Sequence, residues 1–439
     1  MSDSEMYREV AEAAWGWVLG QIHDEDGPWL PETAGSPTPA GDRDSLYAGI
    51  AGLAPVLVEI GRYRELTGER ALVDGIVDRL THQAAVRVEP SLYDGLAGDV
   101  TALRLLAPGR ERAAMHRLAE LATPDGWATT QGPSGSTAPL TDIVVGTAGV
   151  VHAAAWAGGD AAAKIMTIGG EALLRVAEPT EAGLDWRMWP GYPSSMPNFS
   201  HGTAGVAAAL AVAGHAVERS DFVDAARQGA EHVLSAGSLD DDGFVVPHTF
   251  PPSTREVEPV TYGWCHGAAG TSLLFAALAR AGVDRVGGTD AGELRMRCLR
   301  SILAAGVPRR LRPGFWDNDG RCCGTAGVGD LLLDAAQDTP EQADWLTAGA
   351  RTMADAVVER AIRDGTEVYW RFVEHRREPP LLPPNTSWMQ GAAGIVAFLF
   401  RFARVLEEGP AAMVVDRPDQ WWAVPAGLRV SDTEHGPPG

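Results

Sequence analysis

A four-residue motif, G-x-A-G, recurs seven times, starting at Gly49, Gly95, Gly146, Gly202, Gly267, Gly324 and Gly391. Self-similarity at intervals of 46 to 67 residues is the mark of a repeat architecture, and it limits the possible folds more than any local propensity does. Each copy leads into a helical run that is apolar nearly all round, such as VAAALAVAG after Gly202 and TSLLFAALA after Gly267. Such runs are buried on every side. Between them lie helices with one charged face: Glu9–Leu19, Leu72–Val86, Ala113–Leu121, Ala162–Val176, Phe222–Leu234, Glu293–Ala304 and Gln342–Ala361. The pattern predicts an all-α fold, an α/α toroid of seven inner and seven outer helices. An open solenoid is the alternative, but both terminal units carry the motif and neither has the polar face of a cap. The small residues of the motif are expected to let helix ends approach closely, leaving free N–H groups pointing at a central space.

The repeat overrides the length prior of two or three domains for 439 residues. It implies one toroid over residues 1–409 and a Pro- and Gly-containing extension over 410–439, expected to pack loosely. Segments Leu184–Pro197, Gly243–Tyr262, Gly314–Arg321 and Glu367–Pro384 are rich in Trp, Pro and β-branched residues. They are expected to form long loops or short hairpins at the motif end and to wall a pocket there.

Composition excludes several partners. Lys and Arg number 36 against 58 Asp and Glu, a formal charge of -22, with no basic cluster for nucleic acid. An anionic membrane surface is disfavoured for the same reason. No apolar stretch reaches the roughly 18 residues of a membrane span, and the acidic start Ser2-Asp3-Ser4-Glu5 is unlike a signal peptide. A cytoplasmic protein is expected. Four cysteines make no disulfide scaffold.

The chemistry lies just ahead of the motifs. The fourth copy is preceded by Ser200-His201, the fifth by Trp264-Cys265-His266 and the sixth by Arg321-Cys322-Cys323, while Asp142 lies four residues before Gly146. In a closed ring these positions share one end. Units five and six are neighbours, so Cys265, Cys322 and Cys323 can meet. Three sulfurs suit zinc, and a three-ligand set leaves a fourth position open, as catalytic zinc sites do. Cys298, alone on an outer helix, reads as a small buried hydrophobe. His201 suits general acid/base work. Asp142 orients it, titrates separately or stabilises a helix N-terminus, and His266 is a weaker ligand candidate or else a substrate-facing or supporting group. Tyr93, Asp94 and Asp330 read as structural, and Asp240-Asp241-Asp242-Gly243 as a hairpin turn.

The seven-motif frame, together with W-C-H-G, C-C-G and S-H-G, resembles the lanthionine synthetase C-like family over about Tyr47 to Val405. The resemblance implies a toroid with zinc at one mouth, held by Cys265, Cys322 and Cys323, and an acid/base pair of His201 and Asp142, with His266 beside the first ligand. It implies a cyclase that adds a cysteine thiolate to dehydroalanine or dehydrobutyrine. The substrate would be a dehydrated precursor peptide supplied by a separate dehydratase or kinase partner. The position where some members have arginine is Thr261 here. Addition of glutathione to dehydroamino acids, and a zinc-bearing scaffold without turnover, are the other readings. Toroidal terpene cyclases and glycosidases are disfavoured, because no carboxylate pair faces the axis.

Overall fold

The computed structural model describes residues 2–130, 139–252, 259–309, 318–375, 377–409, 412, 417 and 418. Fourteen α-helices lie among them. The inner ones are α2 (Leu53–Gly61), α4 (Leu96–Leu106), α6 (Thr147–Ala157), α8 (Thr203–Ala216), α10 (Ala268–Arg280), α12 (Thr325–Asp338) and α14 (Ala392–Glu408). The outer ones are α1 (Asp3–Leu19), α3 (Arg70–Ala84), α5 (Arg112–Leu121), α7 (Ala162–Arg175), α9 (Ser220–Ala236), α11 (Ala291–Ala304) and α13 (Ala343–Arg360). This is the expected all-α toroid. All seven charged-face segments are helical, with ends shifted by a few residues. The largest shift is at α1, which begins earlier because Ser2 and Glu5 form a reciprocal capping box. Helix α1 packs against α14, so the first outer helix covers the last inner one and helps close the circle.

Closure also runs through the backbone. Tyr47 N–H donates to the Tyr93 carbonyl (2.9 Å), Tyr93 to Val144 (3.2 Å), Ile143 to Ser200 (3.1 Å) and Ser200 to Cys265 (3.1 Å). Cys265 then donates to Cys322 (3.2 Å), Cys322 to Met389 (2.6 Å) and Met389 back to Tyr47 (3.2 Å). Six of the seven units use the residue two places before the motif for both bonds; unit three splits them between Ile143 and Val144. Inside this ring Tyr93 packs edge-on to Trp264 and stacks near Trp388, while Phe199 packs edge-on to Trp264. Tyr93 is thus structural, as expected.

The motif glycines serve this closure by allowing close approach, but the free N–H groups do not materialise. Each loop folds back on its helix start, and its carbonyls accept the first-turn donors: Thr147 N–H to Leu140 O, Ala148 to Thr141, Thr203 to Met196 and Ala326 to Asp319. A buried helix start without such acceptors would leave polar groups unpaired at a cost of about 1–3 kcal/mol each. The fold-back brings loop carbonyls against the helix. A Cβ on Gly205 would overlap the Phe199 carbonyl, and one on Gly270 the Trp264 carbonyl.

Six two-stranded antiparallel hairpins join the described helices; three of them pair β1 (His23–Asp24) with β2 (Pro28–Trp29), β3 (Glu178–Pro179) with β4 (Leu184–Asp185) and β9 (Ile362–Asp364) with β10 (Glu367–Tyr369). Asp240 to Gly243 form the expected turn between β5 (Ser238–Leu239) and β6 (Phe244–Val245), with Asp240 Oδ1 accepting from Asp242 N–H at 3.0 Å. Strands β11 (Phe372–Val373) and β12 (Leu381–Leu382) pair at the motif end. The hairpin of β7 (Arg285–Val286) and β8 (Thr289–Asp290), outside the segments expected to wall the pocket, follows the C-terminus of α10 and so lies at the opposite end. Residues 253–258, 314–317 and 376 of the expected wall segments lie outside the described residues.

Below the ring a buried ion-pair cluster ties α14 to its neighbours. Arg401 pairs with Asp330 (3.0 Å) and Asp334 (2.5 Å), and Arg404 pairs with Glu59 (2.9 Å). Asp330 is therefore structural. The extension after Gly409 is not loose at its three described residues. Ala412, Arg417 and Pro418 are buried. Arg417 pairs with Asp334 at 3.2 Å, and the Pro418 carbonyl lies 3.2 Å from His152 Nδ1. The acidic cluster attracts a cation that the Pro and Gly content of the tail did not reveal. No helix among the described residues is long and apolar enough to cross a membrane.

Two glycine substitutions separate these effects. Gly16 is exposed in α1 with nothing near its Cβ position, so Gly16→Ala should stabilise by about 0.5–1 kcal/mol. Gly205→Ala should destabilise by about 1–3 kcal/mol or more through overpacking. Thermal unfolding of both proteins reads the contrast in sign.

Candidate metal and acid–base site

The loops ahead of α10 and α12 bring the three cysteines together. Cys265 and Cys322 occupy matching places in adjacent units and share a ring hydrogen bond, so their side chains emerge side by side. Cys265 Sγ lies 3.2 Å from Cys323 Sγ, which lies 3.3 Å from Cys322 Sγ, and all three sulfurs fall within 4.8 Å of one another. Among the described residues this is the one such cluster of His, Cys, Asp or Glu. The loops pass so closely that a Cβ on Gly263 would lie 3.3 Å from both the Cys322 carbonyl and Cys323 Cα. Cys298 is buried in α11, outside the cluster.

The donor set suits a soft, thiophilic cation. Thiols packed this tightly cannot all ionise alone. Hydrogen bonds from Cys265 and Cys323 draw Cys322 below the ordinary thiol range. The bond to Cys322 holds the Cys265 proton on, and bonds to Cys265 and Cys322 do the same for Cys323. A bound cation would release these protons. Tetrahedral zinc at about 2.3 Å from each sulfur needs sulfurs roughly 3.8 Å apart, which falls between the closest separations here and the outer bound. The residues fit a metal such as zinc.

Tyr47 is a site residue that the sequence reading missed. Its hydroxyl hydrogen-bonds to Cys322, and burial, then the nearby Cys322, push its pKa well above the usual value. The available signal was its place in the first unit, two residues before Gly49, where units five and six carry Cys265 and Cys322.

The acid–base pair forms from units three and four. His201 Nδ1 lies 2.8 Å from Asp142 Oδ2, and the Asp142 side chain is 0% exposed. Asp142 Oδ1 accepts from Val145 N–H at 2.8 Å. One Asp142 oxygen secures its own loop ahead of α6 and the other orients the imidazole, while the start of α6 has no side-chain cap. Burial pulls the His201 pKa down, but the Asp142 charge and hydrogen bond outweigh it, leaving the pKa above the ordinary 6.5. The His266 ring sits 5.6 Å from the His201 ring and 4.0 Å from His248, another residue absent from the sequence reading. Thr261, at the arginine position, donates its hydroxyl to the His266 carbonyl and so closes the ligand loop.

His201, His248 and His266 share one cavity of about 810 Å³ with the cysteines. Its walls include Tyr192, Met188, Pro251 and Phe372, and it contains Tyr47, His201, His248, His266 and the three cysteines. The described lining includes no Lys or Arg.

The family model described as "Lanthionine synthetase C-like protein" matches residues 41–407. Among solved structures, a nisin cyclase aligns with a TM-score of 0.53 at 14% identity, covering 90% of this chain and 95% of that one. No curated protein sequence matches.

The pair makes a direct prediction. With Asp142→Asn the carboxylate charge is gone while burial remains. The His201 pKa should then fall below its wild-type value, as read from its imidazole protons by NMR across pH.

Proposed function

The chain belongs to the lanthionine synthetase C-like family, and we propose that it is a zinc-dependent lanthipeptide cyclase. The substrate is a dehydrated ribosomal peptide, and the product is a lanthionine or methyllanthionine ring. The observation that carries this reading is the meeting, in one cavity, of three clustered thiols with His201, whose ring the buried Asp142 holds from behind. The family membership and the fold shared with a nisin cyclase support it.

Cys265, Cys322 and Cys323 would hold the metal. When bound, zinc supplies a Lewis acid that keeps a substrate thiol deprotonated at neutral pH. The remaining work falls to the chain. The cavity takes the peptide segment that carries both the cysteine and the dehydro residue, and its volume is typical of sites that enclose organic ligands. The substrate sulfur bonds to the β-carbon, and the C=C electron pair moves onto the adjacent carbonyl as an enolate. Asp142 holds the His201 ring by Nδ1, which leaves Nε2 to carry the proton. His201 passes that proton to the α-carbon and recovers one from solvent. His266, beside His201, lines the same wall.

The substrate requires prior dehydration of serine or threonine, which we assign to a separate dehydratase or kinase partner. Addition of a separate thiol such as glutathione to the dehydro residue is the alternative that the same site would serve.

Elemental analysis of the pure protein should find one zinc per chain, and Cys265→Ala should abolish it. Cyclisation is read by incubating a peptide containing dehydroalanine and cysteine, alkylating free thiols and weighing the product. His201→Asn should keep zinc but slow closure by about 10²–10⁴-fold, the usual contribution of a general acid. Zinc loss in that variant would make His201 a ligand instead. An acid must be protonated to act, so the rate should decline as pH rises through the elevated His201 pKa. In Asp142→Asn that decline should start at lower pH.

A further inference from the structure

We propose that Gln390 is a substrate-binding residue, its side-chain amide pairing with the backbone N–H and carbonyl of the reacting cysteine in the peptide. This rests on the cyclase reading above. Such a contact makes Gln390 a specificity determinant, since a thiol without a peptide backbone cannot make it. The repeat register puts Gln390 at the site. It stands immediately before Gly391, as His201, His266 and Cys323 stand immediately before Gly202, Gly267 and Gly324. All four come from successive units, and all four line the cavity. In the other three units this place holds Ala48, Asp94 and Val145, which are not among the described lining. The lining residues of this register therefore run in an arc: His201, His266, Cys323, Gln390. Cys323 belongs to the sulfur cluster, and the ring bond from Cys322 N–H to the Met389 carbonyl (2.6 Å) joins its unit to that of Gln390. The cluster has His201 on one flank and Gln390 on the other.

The addition gives the two flanks different tasks. The substrate sulfur comes to the cysteine cluster and bonds to the β-carbon of the dehydro residue. The α-carbon beyond it takes its proton from His201, so the dehydro residue lies on the His201 flank. The sulfur also carries the β-carbon of its own cysteine, with the cysteine backbone behind it. That backbone needs the remaining side of the sulfur, and Gln390 stands there.

The backbone of Gln390 is fixed while its side chain is not. Gln390 N–H donates to Ser387 Oγ at 3.2 Å, and a Cβ on Gly320 would overlap the Gln390 carbonyl, so the unit-six loop packs directly on it. The side-chain amide of this half-buried residue has no protein partner among the described residues. Half-burying an unpaired amide is unfavourable, and a ligand that pairs with it removes that penalty. Its Nε2 donates and its Oε1 accepts, the complement of a peptide backbone. The chain already makes this kind of pair at the same mouth. Asn318, which also lines the cavity, donates from Nδ2 to the Val373 carbonyl at 2.8 Å, and its Oδ1 accepts from Val373 N–H at 2.9 Å. One side-chain amide there holds both backbone groups of a single residue in β11. Gln390 offers the same pair to the substrate.

The test pairs a variant with an altered peptide. Gln390→Met keeps the length of the side chain and removes both polar groups. A peptide containing dehydroalanine and cysteine is compared with a copy whose cysteine N–H is replaced by an ester oxygen. With the unaltered peptide, the Met variant should raise KM about tenfold and leave kcat little changed. With wild-type protein the ester should raise KM by about threefold to tenfold, and in the Met variant it should change KM little. Calorimetric binding of unreactive copies, with alanine in place of dehydroalanine, should weaken by the same factors. Zinc content and the thermal transition of each preparation confirm that the proteins are folded and loaded. A Met variant with wild-type KM and affinity overturns the assignment, and so does an ester penalty that persists undiminished in it. Wild-type protein that treats both peptides alike overturns it without reference to any variant. A zinc-loaded wild-type chain that binds peptide but cyclises none would instead sink the parent reading, and this inference with it.

Discussion

Seven interunit backbone hydrogen bonds, one at each junction, hold the starts of the inner helices in a circle, and the site depends on that circle. Each bond is individually modest, about 0.5–1.5 kcal/mol net. Their joint effect is geometric. The residue two places before each motif takes a fixed position on the ring, and five of them, Tyr47, Val144, Ser200, Cys265 and Cys322, line the cavity at the mouth. Cys265 and Cys322 become neighbours because they occupy such positions in successive units, and Tyr47 reaches Cys322 from another position on the same ring. His201 and Asp142 each lie one residue beyond a ring bond.

The motif glycines make that ring possible through space, not through unusual torsions. The first glycine of units two to seven adopts extended backbone that any residue tolerates. A side chain is forbidden because the loop folds back over the helix start, with its carbonyls against the glycine Cα. The same fold-back satisfies the first-turn N–H donors. The mouth therefore offers side chains, not bare helix ends, to whatever enters. Three sulfurs suit a soft metal, and the proposed proton delivery falls to an imidazole that a buried carboxylate orients.

Away from the mouth, the inner helices carry paired charges instead of a wholly apolar axis. Arg401 joins Asp330 and Asp334, Arg404 joins Glu59, and Arg417 returns from the tail to Asp334. A buried pair is costly to break from one side, about 3–5 kcal/mol, because the remaining charge is stranded. The pairs link α14 to α12 and α2, the last unit to the sixth and the first, where a chain of repeats must find its own beginning.

Much was legible in the sequence, because a repeat puts equivalent residues in equivalent places. Seven motifs determined the helix count, the inner and outer roles, closure and the clustering of Cys265, Cys322 and Cys323, since neighbours in sequence are neighbours in a ring. His201 and Asp142 were readable from the same register. What the repeat did not encode, only the tertiary structure decided. His248 has no motif place: it comes from a loop between units, where its backbone N–H donates to the Pro259 carbonyl and Asn198 Nδ2 donates to its carbonyl. Tyr47 had a repeat position but no residue type that marked it, and only the closed ring brought unit one within reach of unit six. The tail residues Arg417 and Pro418 gave no periodic signal, because their partners Asp334 and His152 lie on distant inner helices. Local pattern specifies which element a residue joins; which loop crosses which follows from packing around a closed circle.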